Sequence, residues 1–265
     1  MLFAANLSIL WPELPLAERF ERAARAGFGA VELWWPGTAA ARSLPGLAAR
    51  WELRLALLNF DAGDMAAGQR GLAADPGRRD QLRASVPDAL AIARECGCPR
   101  LNLLLGLRQD RYSLGQQLAC AADNVAWAAD LAAEAGCEVM IEAINPMDNG
   151  PVLLATTTAA AGFAARVARP NVRLQYDVYH MQRMEGDLVA TLDAYWPLIG
   201  HIQIADVPGR HEPGTGEINY PFVLDHIGGR GYQGAVGLEY HPSSGRAEDS
   251  FGWLADYRAA RASRP

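Results

Sequence analysis

Eight short apolar runs alternate with eight longer amphipathic ones along the 265 residues of the chain, and this rhythm restricts the fold more than any other feature of the sequence. The spacing predicts strands over 3–7, 30–33, 54–58, 101–105, 139–142, 173–177, 201–205 and 235–239. It predicts helices over 16–26, 44–51, 79–96, 114–135, 158–167, 188–196, 222–227 and 246–261. Gly27, Gly97, Gly136 and the Gly228-Gly229 pair stand where helices end, while Pro76, Ser113 and Thr156 stand where they begin. Strict strand-helix alternation calls for a parallel sheet, and eight units allow that sheet to close on itself. The expected architecture is therefore α/β, a single (β/α)8 TIM barrel occupying residues 1–265.

Composition narrows the function classes. A chain that is 50% hydrophobic and 20% charged has material for a large core, and its length is close to the roughly 250 residues typical of such a barrel. The formal charge of −6 and the pI near 5.4 argue against the clustered basic surface that nucleic acid or anionic lipid requires, so small-molecule partners are expected. All 24 basic residues other than histidine are arginine. Without lysine, Schiff-base aldolase, pyridoxal phosphate and P-loop nucleotidase chemistry are excluded.

The four cysteines, Cys96, Cys98, Cys120 and Cys137, fall on or beside predicted helices, and Cys96-Gly97-Cys98 lacks redox or zinc spacing, so they read as structural thiols. Asn6, Glu13 and Glu18 interrupt the first apolar residues before a signal segment could form, and no run approaches the ~18 apolar residues of a membrane span. A cytoplasmic location is expected.

Four of the later apolar runs end on, or nearly on, an oxygen-bearing side chain: Glu142, Asp177, Gln203 and Glu239. A strand buried on both faces has little reason to carry a carboxylate unless the group sits at a shared mouth and meets a cation. In a barrel the C-terminal ends of adjacent strands lie about 5 Å apart and form the active face, so the four can converge. Three carboxylates and an amide oxygen are hard ligands that suit one divalent ion, Mg²⁺ or Mn²⁺ foremost, with Zn²⁺ or Co²⁺ as competitors. Without a cation the carboxylates would repel one another, and at least one would keep its proton.

Other polar groups are placed to meet a substrate. His180 follows Asp177 by three residues and can polarise a carbonyl, and Arg210, in the loop after the seventh strand, can bind a carboxylate. His201 shares the face of Gln203 by alternation and can support it from behind. The irregular stretch 59–75 is expected to cover the mouth, and the glycine- and proline-rich turn 212–220 to shape the loop before the seventh helix. Trp34-Trp35 and Trp253 suit a subunit interface, a cover under the mouth loop or the core equally well, so a homo-oligomer stays open.

These residues carry a resemblance. Phe3-Ala4-Ala5-Asn6-Leu7-Ser8, Ala62 to Gly71, Ile141-Glu142-Ala143-Ile144-Asn145, Gln175 to Gly186, His201 to Asp206 and Glu212 to Tyr220 resemble the hydroxypyruvate isomerases of the xylose isomerase-like TIM-barrel superfamily nearly end to end. Ala143 and Pro146 depart from the family's usual proline and histidine. The resemblance implies that Glu142, Asp177, Gln203 and Glu239 bind the metal and that Glu142 and Glu239 flank the reacting carbons. It implies interconversion of hydroxypyruvate and tartronate semialdehyde. That reaction moves a proton between adjacent carbons through an enediolate, with a cation stabilising the charge and a carboxylate serving as base. A sugar or sugar-acid isomerase or epimerase, such as one acting on 2-oxotetronates or a ketose 3-epimerase, is the near alternative. An abasic-site nuclease and a non-catalytic carbohydrate-binding protein are remote ones.

Overall fold

The computed structural model describes residues 1–262, and in it eight parallel strands close into a barrel in chain order. They are β1 (Leu2–Asn6), β2 (Ala30–Leu33), β3 (Arg54–Asn59), β4 (Arg100–Asn102), β5 (Glu138–Glu142), β6 (Val172–Asp177), β7 (Ile199–Ile204) and β8 (Ala235–Leu238). The helices are α1 (Leu16–Arg25), α2 (Thr38–Ala41), α3 (Leu44–Arg50), α4 (Arg79–Cys96), α5 (Leu114–Glu134), α6 (Pro146–Asn149), α7 (Thr157–Val167), α8 (Val178–Met184), α9 (Leu188–Tyr195), α10 (Tyr220–Gly229) and α11 (Gly252–Ala262). The (β/α)8 barrel expected from the alternation is thus observed. No helix among the described residues is long and apolar enough to cross a membrane.

Local chemistry accounts for the boundaries. Ser113 and Gln116 form a reciprocal capping box that starts α5, and Gly97, at φ 62°, ends α4 in the left-handed conformation that a side chain would resist. The predicted strand at 101–105 is shorter than expected: β4 stops at Asn102, and the apolar run continues as a loop whose Leu105 bridges Gly71. The last predicted helix divides into a 3₁₀ turn, Ala247–Ser250, and α11, separated by Phe251, whose ring packs against Trp11 and Phe28. The short helices α2, α6 and α8 were not signalled, because four to seven residues are too few to establish a helical period. All four cysteines are free thiols, and burial pushes Cys96 up to about 11 and Cys98 up to about 12.

Side chains of one parity, among them Val31, Leu33, Val139, Ile141, Leu174, Tyr176, Ile202 and Ile204, join the main core between barrel and helices. The other parity fills the barrel. Ala4, Ala30, Ala56 and Ala235 form a small apolar cluster. Asn6, Glu32, Gln175, His201 and Gln203, from β1, β2, β6 and β7, form a polar layer bonded from strand to strand. Glu32 is fully buried and accepts from His201 Nε2 at 2.7 Å, Gln203 Nε2 at 2.6 Å and Asn6 Nδ2 at 3.1 Å, which offsets the cost of removing a carboxyl group from water.

Glu32 fits because β8 carries glycine where its side chain passes. A Cβ on Gly237 would lie 2.3 Å from Glu32 Oε2 and 2.4 Å from Oε1. Gly237→Ala should therefore lower the unfolding free energy by about 1–3 kcal/mol, the usual range for overpacking a core. Urea denaturation measures this, and an unchanged midpoint would show that Glu32 does not lie against β8.

Candidate active site

The C-terminal ends of the strands open into a cavity of about 870 Å³. Its wall includes Glu142 and Glu239, the basic residues Arg70, Arg183 and Arg210, and Trp34, Tyr179, His180 and His241. Met65, Ala66 and Arg70 come from the 59–75 stretch, which therefore borders the mouth as expected. Glu142 ends β5, Asp177 ends β6, Gln203 lies in β7 beside Asp177 in register, and Glu239 directly follows β8.

Asp177 has two tasks, and they explain α8. Its Oδ1 accepts the backbone N–H groups of Tyr179 at 2.8 Å and His180 at 3.4 Å, capping the helix, while Oδ2 lies 3.4 Å from Arg210 Nη2. The cap winds His180 back towards the strand end, with Nε2 3.5 Å from Asp177 Oδ2 and 3.9 Å from Glu142 Oε1. Glu142, Asp177 and His180 present ligand atoms within 4.8 Å of one another and could hold a cation.

The hydrogen bonds of His180 qualify its part in that group. Asn145 Oδ1 accepts the Asp148 backbone N–H at 3.0 Å, so its Nδ2 faces His180 Nδ1 at 2.7 Å. Assigned from these partners, the neutral imidazole carries its proton on Nε2 and donates into the site; ligation through Nε2 would require the Asn145 amide to turn over against its bond to Asp148. Burial, aided by Arg210, holds His180 well below the usual histidine range, so it is neutral at physiological pH. This tautomer favours a hydrogen bond to a substrate oxygen.

Gln203 is held at both ends, donating from Nε2 to Glu32 and accepting from Gln175 Nε2 at 2.6 Å. Its carbonyl oxygen has two lone pairs, so the Gln175 bond leaves one free. Glu239 accepts from Trp34 Nε1 at 2.7 Å and Asn6 Nδ2 at 3.2 Å through Oε1, while Oε2 pairs with Arg210. Glu142 Oε2 accepts from Asn102 Nδ2 at 2.8 Å.

The electrostatics match a cation site. Burial raises Glu142 well above the usual carboxylate range, and repulsion from Glu239 and Asp177 adds to the shift; the Asn102 hydrogen bond and Arg210 oppose it. Burial also raises Asp177 against the opposing pull of Arg210 and the α8 N–H groups. It pushes Glu239 up to about 7, with Arg210 the main opposing influence. Three buried carboxyls face one guanidinium, Arg210, and burial favours the protonated form of each. A dication suits this donor set.

Several members of the site were not read as site residues from sequence, namely Asn6, Asn102, Asn145 and Glu32, and Trp34 was read only as a candidate for an interface, a cover under the mouth loop or the core. A usable signal existed: β1, β3 and β4 end on Asn6, Asn59 and Asn102, amides at strand ends just as the later strands end on acids. The Oδ1 atoms of Asn59 and Asn102 are buried without a protein partner among the described residues, and Asn59 lines the cavity.

Comparison with known proteins agrees with this geometry. The pattern of the xylose isomerase-like TIM barrel family matches residues 20–257. The hydroxypyruvate isomerase of Escherichia coli strain K12 is 40% identical over 256 residues, covering 97% of this chain and 99% of that one. The 2-oxo-tetronate isomerase of Cupriavidus necator is 40% identical over 255 residues, covering 96% and 98%. A crystal structure from Brucella melitensis, named AP endonuclease, family 2, superposes with a TM-score of 0.91 at 38% identity, covering 97% of this chain and 98% of that one. The chain belongs to the xylose isomerase-like TIM barrel family. Within it, the match to relatives named hydroxypyruvate isomerase over nearly the whole chain marks it as an isomerase.

The raised carboxyl pKa values have a measurable consequence. An unfolded glutamate titrates near about 4.3, whereas Glu239 in the fold titrates at about 7. Folding thus favours the protonated form: its contribution is fully present below the unfolded value and is lost as pH rises through about 7. A cation favours the deprotonated carboxylates, and displacing one proton makes affinity rise about tenfold per pH unit below the folded value. The melting-temperature gain from added Mn²⁺ should therefore grow from pH 5.5 to pH 8. A gain independent of pH would show that these carboxyls do not hold the ion.

Proposed function

We propose that the chain is a metal-dependent isomerase that interconverts hydroxypyruvate and tartronate semialdehyde by proton transfer between adjacent carbons. The observation that carries this reading is the pair Glu142 and Glu239: two buried carboxyls on the wall of one cavity, both raised in pKa, with Glu239 at about 7. A general base works best when its pKa lies near the working pH. One glutamate removes the proton from the carbon bearing the hydroxyl and returns it to the neighbouring carbon. Glu142 and Glu239 flank the reacting carbons, and one of them is this base. His180 Nε2–H donates to a substrate oxygen as its proton is redistributed, Asn59 accepts from a substrate hydroxyl, and Asn102 holds Glu142.

Glu142, Asp177, Gln203 and Glu239 would hold the divalent ion, Mg²⁺ or Mn²⁺ in preference to Zn²⁺ or Co²⁺. Bound there, the ion supplies positive charge beside the two substrate oxygens as the enediolate forms. Arg210 spans Asp177 and Glu239 and balances their charge.

The substrate follows from the relatives' names, and one of those names supports a second reading. The Cupriavidus necator 2-oxo-tetronate isomerase is as similar as the Escherichia coli hydroxypyruvate isomerase, and the cavity has room for three- and four-carbon acids. One carbon is worth only about 1–3 kcal/mol of discrimination in a pocket. The Brucella protein's name suggests a nuclease instead. The net charge of −6, and a single group of potential acidic and histidine ligands among the described residues, support the small-molecule reading. The four free thiols support a reducing, cytoplasmic setting.

The test is turnover by the Mg²⁺- or Mn²⁺-loaded protein of hydroxypyruvate, 2-oxotetronates and neutral ketohexoses. Hydroxypyruvate should give the highest kcat/KM; a tenfold preference for a C4 acid would establish the second reading, and preference for a neutral ketohexose would overturn both. Glu142→Gln and Glu239→Gln should each lower kcat by about 10²–10⁴-fold with the circular dichroism spectrum unchanged. Near wild-type rates in both variants would remove these residues from proton transfer.

A further inference from the structure

The basic residues of the cavity wall differ in how far their charge is already compensated. Arg210 pairs with Asp177 and Glu239, and Arg183 pairs with Asp148 and also donates to Tyr179 Oη. His180 is engaged by Asn145 Nδ2 at Nδ1, 2.7 Å away, and its Nε2 lies 3.5 Å from Asp177 and 3.9 Å from Glu142. Arg70 is the exception. It reaches the cavity from the 59–75 stretch, and among the described residues it has no carboxylate partner.

Its guanidinium is nevertheless fixed. Nε donates to Asn149 Oδ1 at 2.9 Å, and Nη1 donates to the carbonyl oxygens of Met65 at 3.0 Å and Gln69 at 2.8 Å. These acceptors are neutral, so they orient the group without cancelling its charge. A guanidinium has five N–H donors; with three engaged in this way, both hydrogens on Nη2 remain. The backbone beside Arg70 is fixed too. Gly71 has φ +122°, and a Cβ there would lie 2.1 Å from Leu104 O, so only glycine lets the stretch lie this close to the end of β4.

We propose that Arg70 is the specificity-determining residue that anchors the substrate carboxylate through Nη2, and that the cavity consequently selects 2-oxo and 2-hydroxy acids over neutral sugars of the same length. The inference rests on the reading of this cavity as the substrate site, and adds a residue that the sequence did not single out. A preoriented guanidinium with an uncompensated charge loses little freedom on meeting an anion, and the charge-assisted bond is roughly twice as strong as a neutral one.

The test uses non-reacting ligands. Calorimetric titration of the Mg²⁺-loaded protein with D-glycerate and with the uncharged glyceramide separates charge from shape. The wild type should bind glycerate at least about tenfold more tightly than glyceramide. Arg70→Gln should weaken glycerate about 10- to 100-fold and leave glyceramide within about threefold, and Arg70→Lys should restore part of the loss. Asn149→Ala removes one tether but keeps the charge, so its effect on glycerate should stay below about fivefold. Equal weakening of both ligands by Arg70→Gln, an Asn149→Ala loss as large, or no wild-type preference for glycerate would each overturn the anchor. Hydroxypyruvate turnover, measured on the same preparations, keeps the two readings apart. Turnover with Arg70-independent glycerate binding sinks the anchor alone, whereas Arg70-dependent binding without turnover supports the anchor and sinks the reaction.

Discussion

Buried negative charge is the constraint around which this barrel is organised. Glu32, Glu142, Asp177 and Glu239 all lie inside or at the rim of a closed cylinder of strands, each less than a tenth exposed. Taking carboxyls out of water is costly, and each is met by a different device: Glu32 by three side-chain donors, Asp177 by the first turn of α8, Glu239 by Trp34 and Arg210, and Glu142 by Asn102. The devices differ in completeness, and the difference separates structure from chemistry. Glu32 is enclosed by donors on several strands. At Glu142 and Glu239 burial and mutual repulsion outweigh the donors, so these two keep an elevated proton affinity.

The fold was legible because a barrel of this kind repeats a simple code. Outward-facing positions such as Ile202 and Ile204 meet helices, so each strand reads as apolar, and each following helix is long enough to show its own period. The code fails where elements are short. Asp177 was read as the end of a strand, and it is also the cap of α8, a helix whose seven residues, Val-Tyr-His-Met-Gln-Arg-Met, carry no decisive periodicity. The stop of β4 at Asn102 was equally invisible, since Leu103, Leu104 and Leu105 continue the apolar run; the loop they form is set by its bridge to Gly71, a contact across more than thirty positions of sequence.

The candidate site was partly legible for the same reason. An acid closing an apolar strand conflicts with its surroundings, and such conflicts mark functional positions. An asparagine in that place conflicts less, which is why Asn6, Asn59 and Asn102 were not read as site residues although each closes a strand of the barrel. What one sequence cannot display is pairing across the mouth. Arg210 was read as a hand for a substrate carboxylate, yet in the structure its Nη2 contacts two of the site's own acids. Arg70 was an ordinary member of a glycine-rich loop until the fold showed that its three hydrogen-bond acceptors are neutral.

The inward polar layer also gives the mouth its stiffness. Gln203 is held between Glu32 and Gln175, and Glu32 is held in turn by His201 and Asn6, so four strands, β1, β2, β6 and β7, share one hydrogen-bonded floor beneath the cavity, and Gly237 of β8 leaves the space Glu32 needs. Moving any one strand end would break bonds on at least one other. The loops above are attached differently, by neutral contacts such as Arg70 to Asn149 and by charge pairs such as Arg183 to Asp148. A rigid floor and a separately fastened rim divide the work. The floor fixes the positions of the strand-end carboxyls, while the rim is held by contacts of its own.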